Sequence, residues 1–282
     1  MKLLRYGPRG YEKPGLLDKD GTIRDLSSVV DDIDAQALSR TGLSRLSKLD
    51  PATLPAVDPA QRIGPCVAHS PMFMAIGLNF HDHARESGMP VPEEPILFMK
   101  STGSIAGPND DVPMPVGATK LDWEVELGVV IGEECRHVDT SSAQDYIAGY
   151  CVVNDISERA FQMERGGQWV KGKSYDGFGP VGPYLVTKNE IDDIQNLAMF
   201  LDVNGDRRQT GNTGTMIFSV VEIVSYLSDF MTLRPGDIIT TGTPPGVGLG
   251  MKPPKYLSVG DTMHLGITGL GEQRQTVVAS AS

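Results

Sequence analysis

Apolar positions along the chain fall mostly into short runs closed by Gly, Pro or Asp, the pattern of β-strands rather than of long helices. Residues 2–6 form one such run. Residues 15–17 and 22–26 flank Asp20-Gly21, a dipeptide suited to a tight hairpin turn. The period then changes: Val30, Ile33, Leu38, Leu43 and Leu46 predict a helix over about 31–48. Pro51, Pro55, Pro59 and Pro65 exclude regular helix in the next stretch. It reads as a linker, giving a small N-terminal α/β domain over 1–65 and a larger body over 66–282.

In the body, residues 73–77, 96–99, 123–131, 150–154 and 183–186 are predicted strands. Residues 200–203 run into Asn204-Gly205, a second hairpin signal, and Arg234-Pro235-Gly236-Asp237 turns the chain into 238–241. Helical windows are confined to 141–148 and 219–230. The fold class expected is mainly β with peripheral helices, an α+β arrangement.

Composition narrows the partners. The chain carries 32 glycines and 20 prolines in 282 residues, above the roughly 12% of average usage for the pair, which argues against a helical bundle. A net charge of −11 disfavours nucleic acid and anionic membrane surfaces. Cys66, Cys135 and Cys151 are odd in number and lack C-x-x-C spacing, so neither a disulfide framework nor a thiolate zinc site is expected. Charge and turn residues interrupt the first eight positions, and no apolar run approaches the roughly 20 residues that span a bilayer. A soluble, cytoplasmic chain is the expectation.

Two motif matches fail on context. Gly167 to Ser174 spells G-x-x-x-x-G-K-S, but a phosphate-binding loop needs a buried strand before it and a helix after it. Here polar Gln162, Glu164 and Arg165 precede it, and Asp176-Gly177-Phe178-Gly179-Pro180 follows. Gly177, Gly179 and Gly182 spell a dinucleotide fingerprint, yet Pro180 and Pro183 forbid its helix. No G-x-S-x-G or H-E-x-x-H occurs, and His69, His81, His83, His137 and His264 show no zinc spacing.

The segment with chemistry is Asp122-Trp123-Glu124-Val125-Glu126-Leu127-Gly128-Val129-Val130-Ile131. Period two puts Trp123, Val125 and Leu127 on one face and Glu124 and Glu126 on the other, with the carboxylate-bearing Cα atoms about 7 Å apart. Alternation alone says only that one face is wet. The apolar continuation through Ile131 points instead to a core strand, where repelling carboxylates need compensation. The equally apolar run 150–154 ends in Asp155. That residue has an ordinary alternative as an Asx turn or helix cap, but with Glu124 and Glu126 it makes a hard oxygen set suited to Mg²⁺ or Mn²⁺.

With these residues in place, the chain resembles the fumarylacetoacetate hydrolase family over about 72–275. The likeness rests on ordered motifs: Gly77-Leu78-Asn79-Phe80 with His83 and Glu86; Phe98-Met99-Lys100; the run from Asp122 to Gly128; Gly149-Tyr150 through Asn154-Asp155; Arg159 and Gln162; Gly172-Lys173-Ser174-Tyr175-Asp176; Asn204-Gly205; Leu233 to Asp237; and Thr241 to Gly248. The resemblance implies a mixed β-sandwich roll, a homodimer, and Mg²⁺ or Mn²⁺ held by Glu124, Glu126 and Asp155. It also implies a His83/Glu86 acid/base dyad on a mobile lid over 80–90, Lys173 beside the metal, and substrate contacts from Arg159, Gln162 and Thr243. Many relatives carry an acidic residue after the arginine. Here Ala160 stands there, which removes a possible partner of Arg159. This variant, with Gly166-Gly167-Gln168-Trp169 following, resembles members acting on diketo-deoxy sugar acids; similar chains are also called ureidoglycolate lyases.

The expected reaction is hydrolysis of a C–C bond in a 2,4-dioxo acid, an acylpyruvate or a 2,4-diketo-3-deoxy sugar acid, to pyruvate and a second acid. The carboxylate and 2-oxo group would chelate the ion, and a positioned histidine would activate water. A ureidoglycolate lyase or an oxaloacetate-type decarboxylase would use the same α-oxo or α-hydroxy acid head. A silent metal-binding scaffold is the non-enzymatic alternative. Thr241 to Gly250 reads as a loop whose backbone closes over a ligand.

Overall fold

The computed structural model describes residues 1–86, 88 and 90–280. Among these, a mixed 10-stranded sheet and a 5-stranded sheet carry most of the chain. The large sheet centres on Ile147–Asn154, Val125–Ile131 and Ile238–Thr240. Pairing is mostly antiparallel, but Ile238–Thr240 runs parallel to Phe73–Gly77. Lys2–Tyr6 pairs with Gly179–Thr187, so the N-terminal strands extend the same sheet.

Period-two alternation decides what each face of the large sheet does. Val125, Leu127, Val129 and Ile131 pack with Met199, Leu201, Leu265 and Ile267 of the smaller sheet and with Ile223, Val224 and Leu227 of helix Val220–Phe230. Val130, Cys151 and Val153 point the other way, into a second core with Leu3, Leu26, Leu38 and Leu46. The same parity sends Glu124, Glu126 and Asp155 out of the sandwich, toward the opposite face of the sheet. Gly128 lies between these carboxylates and the second core. A Cβ there would sit 2.7 Å from Cys151 Sγ, so the strands approach closely only with glycine at this position.

Three expected elements differ from those observed. The helix over 31–48 is two, Ala35–Leu38 and Arg40–Leu46, because Ser39 takes an extended ψ of 157° and its hydroxyl caps Gly42 N–H. The 141–148 window holds only Thr140–Ala143 and a 3₁₀ turn, since Ile147 already begins a fully buried strand. The carboxylate strand starts at Val125 rather than Trp123, because Glu124 N–H bonds the Asn154 side chain (3.2 Å) instead of a neighbouring strand's carbonyl. Helix Val220–Phe230 is capped as its sequence suggests, with Ser219 and Glu222 forming a reciprocal capping box. The cysteines are free and buried. No helix among the described residues is long and apolar enough to cross a membrane.

Candidate active site

Backbone register builds the acidic cluster. Val153 lies opposite Glu126 and Asn154 opposite Val125, and Asp155 N–H donates to Glu124 C=O at 2.9 Å. Glu124, Glu126 and Asp155 each offer one carboxylate oxygen within 4.8 Å of the others, and all three residues are buried.

Buried carboxylates need counter-charge, and its distribution is uneven. Lys173 Nζ contacts Glu124 Oε2 at 2.5 Å and Asp155 Oδ2 at 2.6 Å. Arg159 donates to Glu124 Oε1 at 2.7 Å and to Asp122 Oδ2 at 2.8 Å. Burial alone would raise the Glu124 pKa, but Arg159 and Lys173 outweigh it and hold this carboxyl well below the usual carboxylate range. Burial likewise opposes charge on Lys173, yet Asp155 and Glu124 keep its ammonium more basic than an ordinary lysine. Glu126 differs. It accepts only from neutral donors, Thr240 Oγ1 at 2.5 Å and Gly242 N at 2.8 Å. Burial and the charges of Asp155 and Glu124 push its pKa well above the ordinary value. A hard divalent cation is the charge this all-oxygen arrangement lacks, so the donor set fits Mg²⁺ or Mn²⁺.

Lys173 reaches the cluster because helices Arg159–Met163 and Val170–Lys173 touch through Gly172, where a Cβ would lie 2.4 Å from Glu158 O and 2.5 Å from Gln162 N. The apparent phosphate loop is therefore a turn of helix carrying a site lysine. No helix follows Gly177 either; Gly179–Thr187 is a strand.

Across the cavity, helix His81–Glu86 carries His83 and Glu86 on one side, with His83 Nδ1 3.4 Å from Glu86 Oε2. Glu86 is held by Gly246 N–H at 3.1 Å and packs against Gly250, where a Cβ would be 2.6 Å from Glu86 Cδ and would push the carboxylate aside. The expected lid over 80–90 includes Ser87 and Met89, which lie outside the described residues. The loop from Thr241 to Gly250 spends its amides on carboxylates: Gly242 on Glu126, Gly246 on Glu86, and Gly248 and Leu249 on Asp122.

Glu124, Glu126, Asp155, Lys173, His83, Glu86, Arg159, Gln162 and Thr243 all line one cavity of about 500 Å³. Their free hydrogen-bonding capacity differs. Thr243 Oγ1 already donates to Val125 O and accepts from Gln209 Nε2. Arg159 gives one N–H from each nitrogen to Asp122, Gln162 and Glu124, so it is paired without an acid at position 160 and keeps one further N–H on Nη1 and on Nη2. Gln162 Oε1 accepts from Arg159, which leaves its amide N–H₂ for a ligand.

Two residues carry more than sequence reading assigned them. Lys100, 2% exposed, donates to Asp155 Oδ1 at 2.6 Å and to Lys173 O at 2.5 Å, tying Asp155 to the lysine-bearing turn. Asp122, wholly buried, fixes Arg159 on one side and the Gly248 loop on the other. Their signals were their places in Phe98-Met99-Lys100 and at the head of the acidic strand.

The family model for the fumarylacetoacetate (FAA) hydrolase C-terminal region matches residues 72–278. This chain belongs to the fumarylacetoacetate hydrolase family. A Burkholderia orbicola protein whose name goes no further than an inferred hydrolase is 61% identical over 276 residues, 98% of each chain. The fumarylacetoacetate hydrolase of Exiguobacterium antarcticum superposes with a TM-score of 0.89 at 33% identity, covering 99% of this chain and 100% of that one. Maleylpyruvate hydrolase from Sphingobium sp. SYK-6, solved with manganese(II) and pyruvate, is 27% identical with a TM-score of 0.82 over 100% of both chains. In this chain the acidic cluster is compatible with a divalent ion.

Proposed function

We propose that the protein is a divalent-metal-dependent hydrolase that splits a C–C bond in a 2,4-dioxo acid: R–CO–CH₂–CO–COO⁻ plus water gives R–COOH and pyruvate. The observation that supports this best is the shared cavity, with Glu124, Glu126, Asp155 and Lys173 on one wall and the His83/Glu86 pair on another. Glu124, Glu126 and Asp155 would hold the ion, whose contribution is Lewis-acid stabilisation of the oxyanion that develops on the pyruvate half, worth several kcal/mol.

The remaining work falls to this chain's own groups. Lys173 Nζ presents fixed positive charge beside the same position without reorganising during reaction. Gln162 offers its N–H₂ to the acid head. His83 takes the proton of the water that attacks C4, and Glu86 orients the ring through Nδ1 and supports the imidazolium. As the C3–C4 bond breaks, its electron pair goes to C3, which collects the proton from His83 and leaves as the methyl of pyruvate. A positioned base of this kind contributes roughly 10² to 10⁴ in rate. The fine choice of Mg²⁺ or Mn²⁺, and a homodimeric, cytoplasmic enzyme, belong to the same proposal.

The test is pyruvate release from 2,4-dioxopentanoate with Mg²⁺, read by a lactate dehydrogenase couple. One pyruvate per substrate, abolished by Glu124→Gln, is expected. Release of urea with glyoxylate from ureidoglycolate, CO₂ from oxaloacetate, or an absorbance change without pyruvate would each contradict it if pyruvate from the dioxo acid is absent.

A further inference from the structure

The cavity is chemically mixed, with charged and apolar side chains lining it together. Several of its polar groups are already committed: Arg159 to carboxylates, Thr243 to Val125 O and Gln209, and Glu86 to His83 and Gly246. One wall of it is apolar, formed by Trp169, Met163, Leu249, Met251 and Leu78. Met163 is 54% exposed and Leu249 37% exposed, so both leave apolar surface open at the cavity.

Trp169 anchors this wall. Its six-membered ring lies over Gly77, where a Cβ would come within 2.7 Å of Cζ3, and it meets Phe98 edge-on at 5.3 Å between centroids. Phe98 in turn lies under Lys173, 5.1 Å from the ammonium to the ring centroid. The indole is therefore seated against the catalytic wall, on strands whose positions are fixed by the sheet. Leu78 beside it holds a left-handed backbone at φ 52°, an arrangement found where a site over-determines its own shape. At the mouth stands Lys252, exposed and solvated, where a salt bridge adds little.

We infer that the acyl group beyond C4 ends in an apolar, uncharged group, a methyl or longer alkyl, that seats on Trp169, Met163, Leu249 and Met251. These residues set substrate preference. The inference rests on the proposed cleavage of a 2,4-dioxo acid and adds to it the class of R. An apolar end gains contact with these side chains, whereas a polyhydroxylated or carboxylate-ended chain finds no hydrogen-bond partner on them.

The experiment compares kcat/KM with Mg²⁺ for 2,4-dioxo acids whose C4 substituent is methyl, propyl, hydroxymethyl, a trihydroxypropyl chain or a carboxyethyl chain. Methyl- and propyl-ended acids are expected to exceed the trihydroxypropyl and carboxyethyl acids by at least tenfold, within the range that apolar pocket contacts supply. Trp169→Ala should lower kcat/KM for the propyl acid about tenfold, mainly through KM, and shrink the preference; Trp169→Phe should restore most of it. Cleavage of the carboxyethyl or trihydroxypropyl acid at least as fast as the alkyl acids would overturn the inference while leaving the hydrolase reading intact. Equal discrimination in Trp169→Ala and the parent enzyme would also overturn it. No pyruvate from any of these acids would instead defeat the underlying reading.

Discussion

Asp155 donates its backbone N–H to the carbonyl of Glu124 at 2.9 Å, one step beyond the last paired residues of their strands. The two carboxylates are thus placed side by side by the hydrogen-bond ladder itself. Lys173 then bridges them, at 2.5 and 2.6 Å. Each member of the cluster depends on a backbone element that has its own stability, which makes the site testable piece by piece.

Lys100 is the first piece. Its ammonium neutralises Asp155 in a fully buried setting, although burial lowers its own pKa and Asp155 only partly offsets this. Lys100→Met should destabilise the metal-free protein by about 1–3 kcal/mol, the cost of one charged hydrogen bond, because Asp155 loses one ammonium partner but keeps Lys173. Saturating Mg²⁺ should recover part of the loss. Thermal unfolding with and without Mg²⁺ checks this, and an unchanged midpoint in both would contradict the role given to Lys100.

Gly172 is the second. A methyl group at this position would meet Glu158 O at 2.4 Å and Gln162 N at 2.5 Å, both backbone atoms that cannot swing aside. Gly172→Ala should cost about 1–3 kcal/mol in overpacking and displace Lys173. The measurement is turnover at saturating substrate in the folded variant; wild-type kcat would show that Lys173 does not depend on this close approach.

The dyad helix has a pH signature. Burial raises the Glu86 pKa, but the bonds from His83 and from Gly246 N–H outweigh it, so the folded value lies below the ordinary 4.5. A depressed carboxyl stabilises the fold in full above its unfolded value and loses that contribution as pH falls through the folded one. Wild type should therefore unfold at a higher temperature than Glu86→Gln at pH 7. The gap should close as pH drops below about 4.5. A gap that stays constant or widens in acid would reverse the sign of the argument.

How far these features could be read in advance depended on whether they are local. The carboxylate strand was legible because period two survives from Trp123 to Ile131, and its two faces do go to different environments. Asp155 was legible as the polar end of an apolar strand. Lys100 was legible only as the end of the Phe98-Met99-Lys100 motif; its role was not, because its partners lie 55 and 73 positions away. The helix expected over 31–48 failed for the opposite reason. Its apolar spacing continues across Ser39, but the Ser39 hydroxyl has a better use as a cap. Thr243 was named for its hydroxyl, which folding spends on Val125 and Gln209.

The buried thiols provide a check on packing that is independent of chemistry at the site. Burial, with Asp237 and Glu134 nearby, pushes the Cys135 thiol up to about 11, and Cys151 is raised well above its usual value by its contact with Cys66 and by burial. A disulfide-exchanging reagent at pH 8 should label none of Cys66, Cys135 and Cys151 within minutes in the native protein and all of them after denaturation. Rapid native labelling of Cys66 or Cys151 would show that the second core opens more readily than its burial implies, and of Cys135 that the first does.

Calorimetric titration of Mn²⁺ into the metal-stripped full-length protein goes most directly to the acidic cluster. The account predicts one ion per chain, with affinity reduced at least tenfold to a hundredfold in Asp155→Asn and in Glu126→Gln. Absence of binding, or wild-type affinity in both variants, would contradict it.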